Sequence, residues 1–177
     1  MARPLHLECR ERYTPQEFVT HVIEPVLCAL PSISFSRAAA QLLLGTALHE
    51  SMGLKHRRQM GGGPARSFFQ MEPATHDDIW DNYLKYRSKL AGEVEAVLAD
   101  KTQKHYELEF NDHYAAAMAR VHYYRVPEAM PGFNDISSQA LYWKKHYNTA
   151  KGKGTTAKYL KDWTAHGGPG VTFVPSC

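Results

Sequence analysis

The chain is short of several things, and each shortage excludes a class of protein. It has no run of 18 or more apolar residues, so hydropathy gives no transmembrane helix. The longest candidate, Ala38 to Leu48, is broken by Gln41 and Gly45. Cysteine is scarce. Cys9, Cys28 and Cys177 have no metal-ligand spacing and an odd count, which argues against a disulfide framework. Cys9 and Cys28 read as core or surface thiols rather than nucleophiles. Strand signals are few, and there is no repeat or low-complexity segment. Gly61-Gly62-Gly63-Pro64 lacks the Gly-Lys-Ser/Thr ending of a phosphate loop. His49-Glu50 with His56 has the wrong spacing for a zinc-protease motif. The ten histidines do not pair with cysteines at ligand spacing, so no metal and no cofactor is expected. Met1 to Glu11 is polar and lacks the basic-then-apolar layout of a secretory signal.

What is present fits one globular domain over residues 1–177, with a folded core from about 14 to 167 and an extended or frayed tail over 168–177. The chain is 177 residues long, 44% hydrophobic and 22% charged, enough to bury a core and too apolar for disorder. Net charge is +3, but the charges are segregated. Lys144 to Lys161 holds six lysines and no acid, whereas Glu93 to Asp112 is mostly acidic. Each run reads as a solvated face or, for the lysines, a polyanion contact.

Periodicity predicts an all-α fold with at most a minor β hairpin hidden in Gly53 to Met71. Thr14-Pro15-Gln16-Glu17 is a capping box opening a first helix that Pro25 should kink or end. Arg37 to Glu50 carries a helical apolar stripe. Gly53 to Ser67 holds four glycines and a proline and cannot be regular helix. Thr75 with Asp78 reads as another capping pair, and Leu90 to Leu98 as a short helix. Asn111 or Asp112 should cap Tyr114 to Val126. Asp135 should cap Ile136 to about Tyr147, and Thr155 or Thr156 a last helix.

The richest local chemistry lies where the second helix ends in His49-Glu50-Ser51 before the glycine-rich loop. The negative end of a helix dipole disfavours an ionised glutamate, and a glutamate kept protonated near neutral pH is a general acid. Downstream, Ser67-Phe68-Phe69-Gln70-Met71 followed by Pro73-Ala74-Thr75 offers two aromatics and an amide suited to a sugar-binding wall.

These blocks resemble the soluble lytic transglycosylases and goose-type lysozymes. Glu50-Ser51 matches the family's Glu-Ser helix end. Ser67 to Met71 matches its Gly-Leu-Met-Gln-Ile type motif, with serine in place of glycine, and Pro-Ala-Thr follows. His146-Tyr147-Asn148-Thr149-Ala150 matches its Ala-Tyr-Asn-Ala-Gly motif. The resemblance spans roughly Arg37 to Gly154, and the family's remaining helix motif should fall near Asp112 to Arg125. It implies a lysozyme-like fold with a cleft between a long-helix lobe and the Gly53 to Met71 lobe. It also implies cleavage of the β-1,4 bond between N-acetylmuramic acid and N-acetylglucosamine in peptidoglycan.

In that reading Glu50 is the acid, and Tyr147 hydrogen-bonds near it and steadies the charged transition state. Gln70 and Ser51 contact substrate or orient Glu50, Phe68 and Phe69 belong to the sugar-binding wall, and Asn148 holds the backbone near Tyr147 rather than touching sugar. A second carboxylate would make the enzyme a hydrolase. Glu72, Asp77 and Asp78 are the candidates, none at a motif position, so a one-glutamate transglycosylase is expected. The alternatives are a muramidase or a catalytically silent phage structural protein of the same fold. Peptidoglycan strands are the expected partner, with virion proteins a further one; nucleic acid is not. With no visible signal, a virion component or an endolysin released to the wall is expected.

Overall fold

A computed structural model describes residues 12–148, 152–174 and 177. The polar segment Met1 to Glu11, Cys9 and the Thr149-Ala150 part of the third motif lie outside the described residues. Among the described residues the fold is mainly helical, with isolated antiparallel bridges Arg58–Arg66 and Arg66–Met71 in place of a hairpin. No described helix is long and apolar enough to cross a membrane.

The Thr14 capping box forms as the sequence demands. Thr14 Oγ1 accepts from the Glu17 amide at 3.2 Å, and Glu17 accepts from the Thr14 amide at 2.8 Å. The helix it opens does not stop at Pro25. It runs as α1 (Pro15–Phe18), a π turn (Val19–Ile23) and α2 (Glu24–Ala29). Proline removes the donor that would reach the carbonyl four residues back. That carbonyl belongs to His21, and His113 Nε2 takes it at 2.8 Å. The wide turn and a side chain from a distant helix thus carry the helix through the proline.

α3 (Arg37–Glu50) begins at its Ser36 cap and is buried all round from Ala39 to His49, the mark of a central helix. α7 (Asp112–Tyr124), capped by Asn111, is buried almost as completely and packs against it. Between them in sequence come α4 (Pro73–Asn82), α5 (Ser88–Glu95) and α6 (Lys104–Phe110). α4 starts at Pro73 with Glu72 in the cap position, so Thr75 lies inside the first turn and does not cap. Proline at the first helical position sets the start by its fixed φ. α8 (Ile136–Trp143) passes into a π turn (Lys144–Asn148), and α9 (Thr156–Ala165) closes the bundle behind α3. The α3–α9 approach needs glycine. A Cβ on Gly45 would sit 2.1 Å from Tyr159 Oη.

The acidic stretch is not a solvated face throughout. Glu107, Glu109 and Asp112 are buried. Glu107 accepts from the Ala99 and Asp100 amides and from Asn111 Nδ2. Asp112 is paired with the Arg57 guanidinium and accepts from Tyr13 Oη at 3.1 Å. Glu109 accepts from Arg58 Nε at 2.6 Å and pairs with Arg66 Nε at 3.2 Å. Three arginines of the glycine-rich segment are thereby tied to the end of α6 and the start of α7.

One further expectation is corrected. Cys28 and Cys177 form a disulfide, Cα–Cα 5.5 Å across 149 residues of sequence. An odd count forbids complete pairing but not one pair. Of the two forms expected for the tail, the described part after Gly170 takes the extended one and is held in place. Thr172 exchanges two hydrogen bonds with the Gln16 amide, Val174 N donates to Glu24 at 2.8 Å, and Phe173 is buried edge-on against Phe133.

Candidate active site

Three helix ends meet at one wall of a cleft of about 900 Å³. α3 delivers His49 and Glu50 and the π turn delivers Tyr147 and Asn148 to the lining, while α8 places the buried Trp143 behind Glu50. The opposite wall is the segment from Met52 to Glu72, and Lys153 and Lys158 lie along the cleft.

Glu50 is partly exposed, but its carboxylate is packed closely enough for burial to push its pKa from 4.5 to about 7. Two groups oppose the shift. Trp143 Nε1 donates to Glu50 Oε1 at 2.9 Å, and the Lys158 charge favours the anion. A group with this pKa is protonated in a large fraction of molecules near neutral pH and can both give and retake a proton. His49, next to it, lies 2.7 Å from Asp162 through Nδ1 and stands edge-on to Trp143 at 4.4 Å. Burial lowers the His49 pKa, so the ring tends to neutral and fixes Trp143 without adding charge. Gly154 completes this corner. A Cβ there would meet Trp143 Cη2 at 2.5 Å and His49 Nε2 at 3.2 Å.

Tyr147 lines the cleft, but its hydroxyl donates to the Phe69 carbonyl at 2.8 Å and not to Glu50. The hydrogen bond expected near Glu50 thus goes to the backbone of the loop segment. The π turn aims the ring across the cleft at the other wall. His122, which sequence reasoning did not single out, stands edge-on to Tyr147 at 5.0 Å, and burial holds its pKa down at about 4. It is a neutral, hydrogen-bonding cleft residue at ordinary pH.

The second wall is strained. Met52, Leu54, Ser67 and Gln70 all have positive φ, and such conformations cost energy that the surroundings must hold in place. Gln70 lines the cleft with φ 47°, and its amide nitrogen donates to the His56 and Ser67 carbonyls at 3.2 and 2.7 Å. Ser67 has φ 66°, the left-handed region that favours glycine, and its Oγ accepts from the Phe69 amide at 3.1 Å. The serine stands where the resembled motif has glycine and keeps that backbone shape.

Three expected substrate-side residues do not face the cleft. Phe68 and Phe69 are each 1% exposed and pack on Phe18 in the core. Ser51 is fully buried. Its Oγ donates to the Ala47 carbonyl at 2.6 Å and accepts from the Leu54 amide at 2.9 Å, so it shapes the turn after Glu50. Asn148 lines the cleft, with Oδ1 accepting from Lys144 Nζ at 2.7 Å. Of the possible second carboxylates only Glu72 lines the cleft, exposed at its rim. Asp77 is bonded to His76 and His105, and Asp78 to Arg125.

Trp143, the partner of Glu50, is a second residue of the candidate site that the sequence did not yield. A tryptophan at helical spacing reads as core, and it is core, but its indole N–H needs a partner when buried. No family model, curated protein or solved structure matches the chain.

Proposed function

We propose that the protein is a peptidoglycan-cleaving enzyme of lysozyme-like fold, acting as a lytic transglycosylase with Glu50 as its one general acid and base. The observation that carries this is a glutamate at a helix end, held near neutral pKa, in a cleft large enough for several sugar rings. The choice of polymer rests on the resemblance of the Glu50-Ser51, Ser67 to Met71 and Tyr147-Asn148 blocks. Glu50 gives its proton to the glycosidic oxygen as the C1–O bond breaks. The muramic acid 6-hydroxyl then attacks C1, and the Glu50 carboxylate takes its proton. No water is consumed, and the glutamate returns to its starting state. Trp143 holds the carboxylate in place and stabilises its anionic form between the two transfers. Lys153 and Lys158 suit the anionic groups of the wall polymer. The Cys28–Cys177 bridge supports an oxidising place of action, such as the periplasm or a virion.

Glu72 favours a second reading. It is the other carboxylate that lines the cleft, and it gives a hydrolase a group to position water. A third, a silent binding protein, is separated by activity alone. Zymograms on peptidoglycan should clear with the wild type. Glu50→Gln should lose about 10²–10⁴-fold in rate, the range of a general acid, while its circular dichroism is unchanged. Clearing by the variant at a wild-type rate would exclude Glu50 as the acid.

A further inference from the structure

Away from the cleft, α4 and α6 meet through a cluster that the proposed reaction does not use. His76 is buried on the first turns of α4, with Asp77 beside it. His105 reaches across from α6. His76 Nδ1 lies 2.8 Å from Asp77 Oδ1, and His105 Nε2 lies 2.7 Å from the same oxygen. One ligand atom from each of the three falls within 4.8 Å of the others. The sequence hid this, because Asp77 and His105 are 28 residues apart and no cysteine is involved.

We infer that His76, Asp77 and His105 form a binding site for a divalent transition-metal cation of the zinc type. Two imidazoles and one carboxylate are a donor set such ions take readily, with a further position left for water. The buried histidine is already oriented. Its far nitrogen, Nε2, is 2.7 Å from Tyr114 Oη, which in turn accepts from Trp80 Nε1 at 2.9 Å. Metal-binding histidines are commonly fixed in this way through the ring nitrogen that does not touch the ion. Donor atoms around a tetrahedral zinc stand about 3.3 Å apart, given metal–nitrogen distances near 2.0–2.1 Å. The cluster must therefore open by about 0.5 Å to admit the ion. Asp77 and His105 are the members that can give, since their side chains are 51% and 54% exposed. Lys104, whose ammonium lies 3.5 Å over the Trp80 ring, is the nearby charge that opposes a cation. A bound ion clips α4 to α6, and α4 begins at the cleft rim with Glu72 and Thr75. The site stands independently of the reading of the cleft.

The test is calorimetric titration of the chelator-treated full chain with zinc chloride, beside thermal melts with and without zinc. Wild type should bind zinc, with a melting temperature that rises with its concentration. His105→Ala and Asp77→Asn change exposed side chains and should fold normally, and each should weaken zinc binding at least tenfold. Cobalt(II) alone should give the wild type a visible d–d spectrum that His105→Ala loses. Failure of the wild type to bind zinc, or variants that bind it as tightly as wild type, would overturn the inference.

Discussion

The two walls of the cleft are built by opposite means. The Glu50 wall consists of helix ends on buried helices, and its polar atoms are set by packing. Trp143 is fully buried and His49 nearly so, and Asp162 and Tyr159 back them from α9. The facing wall, Met52 to Glu72, has almost no regular structure. Its shape comes from left-handed residues at Met52, Ser67 and Gln70 and from arginines 57, 58 and 66 anchored on Asp112 and Glu109. One wall fixes a proton donor by desolvation. The other holds a strained backbone by charge pairing, leaving Gln70 at the cleft. Tyr147 joins them, a residue of the helical wall bonded to a carbonyl of the loop wall.

The largest effect expected from this contrast is on the helical wall. Glu50 has its pKa raised from 4.5 to about 7 by burial, so folding favours its neutral form. Below pH 4.5 the group is neutral in both folded and unfolded chains and costs nothing. From there to about pH 7 the unfolded chain ionises first, and stability declines as pH rises. Glu50→Gln removes this penalty while an amide oxygen still accepts from Trp143. The variant should therefore match the wild type at pH 4 and exceed it at pH 8 by about 1–3 kcal/mol, read from urea melts. Equal stability at both pH values would mean that the carboxylate is solvated.

Trp143→Phe should follow in size. It deletes the donor that favours the Glu50 anion, a charge-assisted bond worth about 1.5–3 kcal/mol. The Glu50 pKa should then rise by roughly one to two pH units, since each unit is about 1.4 kcal/mol. The protonated acid persists to higher pH, so the alkaline limb of the activity profile should move up. A fall in rate with an unmoved limb would make Trp143 a packing residue only.

Tyr147→Phe breaks the link between the walls. A neutral hydrogen bond is worth about 0.5–1.5 kcal/mol, so thermal unfolding should show a modest loss and the rate should fall less than tenfold. A hundredfold loss of rate at unchanged stability would return the hydroxyl to the chemistry. The smallest change is Ser67→Gly on the loop wall. Relief of a left-handed residue, about 1–2 kcal/mol, is set against the lost Phe69 amide contact and greater freedom in the unfolded chain. Stability should stay within about 1 kcal/mol of wild type, whereas Ser67→Val should lose more, because a branched Cβ resists positive φ.

The same contrast marks what could be read from residues alone. The apolar stripe from Arg37 to Glu50 predicted the limits that α3 shows, because periodicity is local. Glu50 at its end was legible for the same reason. The loop wall was legible only as irregular. Phe68 and Phe69 carry one signal for a sugar platform and for a core, and burial decides between them. Passage through Pro25 depended on His113, which is 92 residues from the His21 carbonyl it holds. The partner of Tyr147 depended on where Phe69 came to rest, 78 residues away. Glu109 and Asp112 looked solvated because their arginines lie more than 40 residues earlier in the chain. No spacing rule reaches that far.

The most direct measurement is mass spectrometry of peptidoglycan digested by the wild type and by Glu50→Gln. The expected result is 1,6-anhydromuramic products from the wild type and none from the variant. New reducing ends in their place would contradict the one-glutamate mechanism and transfer attention to Glu72. An undigested polymer would contradict the assignment of this cleft to glycan cleavage.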